Sequence, residues 1–242
     1  VSQLAKATLY GNCHGTGTHP KLRIAEAIAI TEALERWAFA QTIAESPNKF
    51  GFEIDPSTSG MAAFPSFTVA PARRRALSEA HERWCLTQLH LGALGGAIQS
   101  GEDSFQLTTQ PIGSPLVFML LGKHSSAGWA YGFASARNAA AAAQHAEHEL
   151  LRNVDALQKL HQNTPSLENL PLEEQRLVRF STAEGHQALV EHLMRSKDRQ
   201  TALPLLIVDE ELRGPWNQYV RVWRSLYENG TPPRSGLDVF FF

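Results

Sequence analysis

The chain has 242 residues, 43% hydrophobic and 19% charged, with 22 Lys+Arg against 24 Asp+Glu, a balance that excludes a disordered or fibrous protein. Near-neutral charge leaves no electrostatic footprint for nucleic acid, and no run approaches the roughly 18 apolar residues of a membrane span. Two cysteines, Cys13 and Cys85, are too few for a disulfide scaffold or a four-ligand zinc site of the usual spacing, and with no basic-then-apolar leader at its start the sequence suits a reducing, cytoplasmic setting.

In chain order, residues 21–42 follow the glycine-bearing stretch of Gly15 and Gly17 and repeat apolar or alanine positions at three and four, which predicts a helix. Residues 70–91, behind Gly60, predict a second helix. Short apolar runs at 105–109, 115–121 and 129–133, bounded by Gly, Pro and Ser, predict strands. Residues 136–160, behind Gly128 and Gly132, predict a third helix. The polar, turn-rich stretch 161–171 is a loop and a candidate subdomain boundary, too short to link independent domains. A helix over 184–195 and strands over 202–208 and 219–226 follow. The tail 229–242 ends in Phe240, Phe241 and Phe242, an end expected to be docked or trimmed rather than free in water.

Internal repetition dominates this layout. Residues 31–37 read Thr-Glu-Ala-Leu-Glu-Arg-Trp and residues 78–84 read Ser-Glu-Ala-His-Glu-Arg-Trp. Seven positions before each lead glutamate stands an alanine, Ala25 before Glu32 and Ala72 before Glu79, and a weaker third copy has Ala140 before Glu147. The copies are unequally spaced, which argues against a solenoid and for a single pseudo-symmetric α+β (α/β) domain over residues 1–242, with glycine-turn and helix units packed on sheet.

The chemistry is expected on these helices. Glu32 and Glu35 stand at i and i+3 and point the same way. A solvated Glu32–Arg36 pair worth a few tenths of a kcal/mol is the ordinary reading. The second reading starts from the alanine stripe beneath each lead glutamate, which implies burial or a cleft, and a buried charge must be paired, protonated or metal-bound. Glu32, Glu35, Glu79, Glu82 and Glu147 meeting in one pocket would exceed what Arg36 and Arg83 neutralise. Mg²⁺ with nucleotide phosphate would offset the excess, and glycine-flanked helix starts suit phosphate, although no P-loop is present. Cys13, His14 and His19 form at most part of a zinc site. His145 and His148 read as polar helix residues, Trp37 and Trp84 as equivalent packing anchors, and Cys85 as a buried, inert thiol.

With these motifs the chain resembles the YcaO family. The family's first helix is matched by Gly15, Gly17, Glu32, Ala33, Glu35 and Arg36; its second turn and helix by Ser59, Gly60, Ala62, Ala76, Leu77, Glu79, Glu82 and Arg83; its third by Gly132, Glu147 and Arg152. The strand pair over 202–209 and 219–223 also resembles the family's end. The resemblance implies a fold that binds ATP and Mg²⁺. The metals would be held by Glu32, Glu35, Glu79, Glu82 and Glu147, and the nucleotide by Ser59, Gly60, Glu79, Arg36, Arg83 and Arg152. It further implies phosphorylation of a peptide backbone amide oxygen, followed by cyclodehydration to an azoline or by thioamidation. The partners implied are a peptide substrate and a leader-peptide-binding or sulfur-delivery protein, and a homodimer is compatible with it.

Four positions depart from the family pattern. Thr16 replaces a lysine, Ile28 a serine, Ser59 an asparagine, and Leu150 the glutamine three residues after the third glutamate. Ile28 and Leu150 place hydrocarbon where phosphate contacts are expected. Two readings therefore stand: an ATP-dependent peptide-modifying enzyme, and a degenerate peptide-binding or scaffold subunit.

Overall fold

The computed structural model describes residues 14–17, 19, 21–163, 168, 170–230, 237 and 239–240. Among them the elements run α1 (Leu22–Glu45), β1 (Met61–Phe64), α2 (Ala70–His90), β2 (Ala97–Ser100), β3 (Ser104–Thr109), β4 (Val117–Ser125), β5 (Gly128–Ala136), α3 (Ala139–Asn163), α4 (Leu172–Ser181), α5 (Ala183–Arg195), β6 (Leu206–Leu212) and β7 (Arg221–Tyr227). Among the described residues five α-helices and two antiparallel sheets make an α+β fold. The chain divides into two compact units, Val1–Ala80 with Leu205–Glu228, and His81–Pro204 with Asn229–Phe242. The division falls inside α2, and residues 161–171 lie within the second unit.

The first unit is a three-stranded sheet ordered β1-β7-β6, with α1 lying on β1. Register sets Met61 opposite Arg224 and Ala63 opposite Val222. Alternation along β7 turns Val222, Arg224 and Leu226 inward. Ala38 of α1 meets Phe52, Met61, Leu212, Trp216 and Val222 in the core. Trp37 packs edge-on against Trp216 at 5.8 Å, and Trp216 Nε1 donates to Leu212 O at 2.9 Å, so the indole is buried with its one donor satisfied.

The second unit is a meander ordered β2-β3-β4-β5. Strand β3 buries Phe105, Leu107 and Thr109 and turns the residues between them outward, and Leu107 faces Leu120 across the β3–β4 ladder. Helix α3 covers β4 and β5, burying Ala142, Ala146, Leu150 and Leu157, and β5 is buried at every position from Trp129 to Ala136. Thr182 caps α5 by accepting the Gly185 N–H at 3.0 Å. Phe240 is buried edge-on against Tyr131 and Phe180, both at 5.0 Å, so this one phenylalanine is docked; Phe241 and Phe242 lie outside the described residues.

Several elements differ from the sequence expectation. Strand β1 escapes notice because Met-Ala-Ala-Phe has neither β-branched residues nor alternation, and pairing with β7 makes it a strand. Strand β2 is short and largely exposed. Helix α4 follows Pro171 and opens with Glu173 and Glu174, a helix start next to the loop expected over 161–171. Strand β6 begins at Leu206, not at residue 202, because Ala202 bridges Ile112 in the second unit and Pro204 has no N–H to pair. No helix among the described residues is long and apolar enough to cross a membrane.

Candidate functional site

In the first unit, Glu32 ties the glycine stretch to α1. Its Oε2 accepts the Thr16 N–H at 2.7 Å and the Thr16 hydroxyl at 3.0 Å. The expected pair with Arg36 is present at 2.7 Å, and Arg36 Nη1 also donates to His14 O at 2.5 Å. The alanine stripe has a packing cause: a methyl on Gly17 would run into the backbone at Ala25 and Ala29, so small residues are needed on both sides of the contact. One turn on, Glu35 accepts the Ala63 N–H of β1 at 2.9 Å. Burial and then the charge of Glu79 push the Glu35 carboxyl up to about 8, with the Ala63 N–H and Arg75 opposing the rise.

The turn before β1 is braced from within. Ser57 Oγ lies 2.7 Å from Asp55 Oδ1 and 2.9 Å from Ser59 Oγ, and it accepts the Ser59 N–H at 3.1 Å. Gly60 takes φ +67°. Arg224, wholly buried, donates to Ser57 O and Asp55 O, both at 2.6 Å, and lies over the Phe52 ring at 4.2 Å. Burial pulls its guanidinium down to about 10, against the charges of Asp55, Glu79 and Glu53. Sequence reasoning missed Arg224, although it continues the inward phase of Val220 and Val222.

In the second unit the strand N–H groups again meet helix carboxylates. Glu82 accepts the Ser135 N–H at 3.2 Å, and Glu149 accepts the Phe133 N–H at 2.7 Å. The Arg83 guanidinium lies over the Phe133 ring at 5.7 Å. Burial raises the Glu149 carboxyl, while the Phe133 N–H and the charges of Arg83 and Arg152 oppose the rise. Glu147 is exposed, as are His145 and His148. The expectation of a buried or cleft-lining Glu147 is thus met by Glu149 instead, and the cause is the phase of α3. Gly132 packs on the backbone at Ala146 and Leu150, which turns the face carrying Ala142, Ala146 and Glu149 toward β5.

The signal for Glu149 is in the sequence. Glu149 has alanines at minus seven and minus three, Ala142 and Ala146, as Glu32 has Ala25 and Ala29 and Glu79 has Ala72 and Ala76. Glu147 has Gln144 at minus three. Counted from Glu149, the residue three positions on is Arg152, and Leu150 is a buried core residue.

A polar cluster adjoins Glu82. His81 is wholly buried, with Nδ1 2.8 Å from Ser135 Oγ and Nε2 2.8 Å from Ser114 Oγ. Burial pulls the imidazole down to about 4, so it is neutral near pH 7. Cys85, next along α2, is buried and its thiol is pushed up by burial and then by Glu82, consistent with an inert side chain. An apolar cavity of about 520 Å³ in the same unit, lined by Leu86, Leu89, Phe180, Leu189, Leu193 and Phe240, includes none of these carboxylates in its wall.

Oxygen donors, crowded until one carboxyl resists ionising, suit a hard divalent cation. Mg²⁺ commonly takes only one or two carboxylates and draws its other ligands from water and phosphate. Among the described residues no three His, Cys, Asp or Glu side chains are grouped as around a metal ion, so the fit is one of donor type and charge. Of the zinc candidates, Cys13 lies outside the described residues, and His19 Nδ1 accepts the Lys21 N–H at 2.9 Å.

No protein-family model matches the chain, and no curated protein matches it. Two solved structures do. One is an E. coli microcin synthetase McbBCD complex with pro-MccB17 bound, 13% identical, TM-score 0.55, over 78% of this chain and 56% of that one. The other is an E. coli microcin synthetase McbBCD complex, 14% identical, TM-score 0.55, over 78% of this chain and 57% of that one. The chain thus spans little more than half the length of the chains it resembles. McbD of that complex is YcaO-like, and the likeness supports a YcaO-like fold and extends to the fold alone.

Proposed function

We propose that this chain is an ATP- and Mg²⁺-dependent peptide-modifying enzyme of the YcaO kind, which activates a backbone amide by phosphorylating its oxygen so that azoline formation or thioamidation follows. The observation that carries the reading is the enclosed Glu35 carboxyl beside Glu79, pushed to about 8 by burial and by that neighbour. A helix surface does not need such crowding, and a cation relieves it. The fold likeness to a microcin synthetase agrees with the reading.

Glu32, Glu35 and Glu79 in the first unit, and Glu82 with Glu149 in place of Glu147 in the second, are the proposed metal carboxylates. Bound Mg²⁺ would neutralise phosphate charge and polarise the transferred phosphoryl group. Ser59, Gly60, Arg36, Arg83 and Arg152 are the proposed nucleotide contacts, and the strand N–H groups hold the carboxylates in place before any ligand arrives. Glu35 keeps its proton near neutral pH, so loading a cation there releases one. The proposed partners are a peptide substrate and a leader-binding or sulfur-delivery protein.

The test is a titration of a labelled ATP analogue with and without Mg²⁺, alongside thermal melting. MgATP should raise the melting temperature, because a ligand that binds only the native state stabilises it. Glu32→Ala and Glu79→Ala should each abolish that shift. The second reading, a peptide-binding scaffold, is favoured by Ile28 in place of a hydroxyl, and no shift at millimolar MgATP would establish it over the first.

A further inference from the structure

We infer that His81 is a positioning residue that sets Glu82 through Ser135; the inference rests on the role proposed above for Glu82. The two side chains are adjacent on α2 and grip the same residue of β5. The ring takes the Ser135 hydroxyl at 2.8 Å, and the carboxylate takes the Ser135 N–H at 3.2 Å. Each ring nitrogen faces one hydroxyl, Nδ1 that of Ser135 and Nε2 that of Ser114, so the ring is held in the plane joining them. The far end is anchored on backbone, because Ser114 Oγ accepts the Leu116 N–H and lies 3.0 Å from Leu116 O.

The bond from Ser135 to Glu82 is long enough that a displacement of a few tenths of an ångström would forfeit it. The sister helix shows that packing alone does not require an imidazole. There the matching residue is Leu34, packed against the first unit's core, and Glu35 takes a 2.9 Å bond from Ala63, whose methyl has nothing to orient. Fixing a ligand-holding carboxylate from behind is how outer residues tune a site.

Two near-isosteres separate the arms. An asparagine amide reaches the Nδ1 side and a glutamine amide the Nε2 side, so H81N keeps the Ser135 arm and H81Q the Ser114 arm, each losing one hydrogen bond. The two melting temperatures should fall alike. The Ser135 amide resonance in a ¹H–¹⁵N spectrum should stay in place in H81N and move in H81Q. Affinity for the labelled MgATP analogue should stay within roughly twofold in H81N and fall by roughly tenfold in H81Q. Equal movement of the amide in both variants, or in neither, would reduce His81 to core filling. Ser135→Ala supplies the same test should H81Q fail to fold, since loss of the hydroxyl must shift its own amide and weaken the analogue. If the wild-type protein binds no nucleotide, the proposed function falls, and the Ser135 amide alone then decides whether His81 sets Glu82.

Discussion

The two units use one construction with different charge around it. In each, a glycine-bearing segment lies so close to an alanine-faced helix that backbone N–H groups reach helix carboxylates: Thr16 to Glu32 and Ala63 to Glu35 in the first, Phe133 to Glu149 and Ser135 to Glu82 in the second. What differs is the neighbour. Glu35 is confronted by Glu79, whereas Arg83 and Arg152 ease the ionisation of Glu149. The shared part is backbone geometry, which needs small residues; the divergent part is electrostatics, which single substitutions retune. The close approach is therefore expected to be costly to alter and the charges cheap.

The largest test strikes the shared part. Gly132→Ala and Gly17→Ala each force a methyl into helix backbone, and each should destabilise by about 4 kcal/mol in urea unfolding. A near-neutral result in one of them would confine the shared construction to the other unit. Next comes Arg224, which has no described counterpart in the second unit. Arg224→Met strands the carbonyls of Ser57 and Asp55 and should cost about 3 kcal/mol, read the same way.

The charge difference is sharpened by pH. The folded Glu35 carboxyl titrates near 8, against 4.5 for an unperturbed glutamate. Between those values the folded chain keeps a proton that the unfolded chain has released, so the penalty is absent below about pH 4.5, grows as pH rises and is complete above about 8. Glu35→Gln should therefore match wild type at pH 4 and gain several kcal/mol at pH 9 in the metal-free protein, with about 5 kcal/mol as the ceiling set by the shift. Glu149→Gln should gain in the same direction and by less. Equal gains would show that Arg83 and Arg152 do not screen Glu149. The smallest effect belongs to Glu147→Ala, expected within about 0.5 kcal/mol of wild type in urea and without effect on nucleotide binding. Glu149→Ala should abolish that binding in the labelled-analogue titration.

Much of this was legible in residue spacing. Helices α1, α2 and α3 announce themselves through alanines at regular intervals, and the strands β3, β4, β5 and β7 through short apolar runs between turn residues. In the Glu-x-x-Glu-Arg copies the second glutamates, Glu35 and Glu82, do face strand backbone. Features set by pairing partners far along the chain were hidden. Met61–Phe64 becomes a strand only through β7, whereas the inward Arg224 follows from the phase of its near neighbours Val222 and Leu226. One alanine at minus seven points to Glu147; alanines at both minus seven and minus three point to Glu149 and resolve the phase of α3. His81 reads as an exception to the repeat, and its partners, Ser114 and Ser135, cannot be inferred from the helix that bears it.

The sheet of the first unit has a consequence for synthesis. Strand β1 is translated early, but its neighbour β7 emerges from the ribosome only after every residue from 81 to 204 has been made. Its exposed N–H and C=O groups must wait while the β2–β5 meander and α3 form from contacts close in sequence, which close faster. Nascent chains halted near residue 204 should thus carry protease-resistant β3–β5 and a protease-sensitive segment around β1, so that the sheet of the first unit closes after the β2–β5 meander has formed.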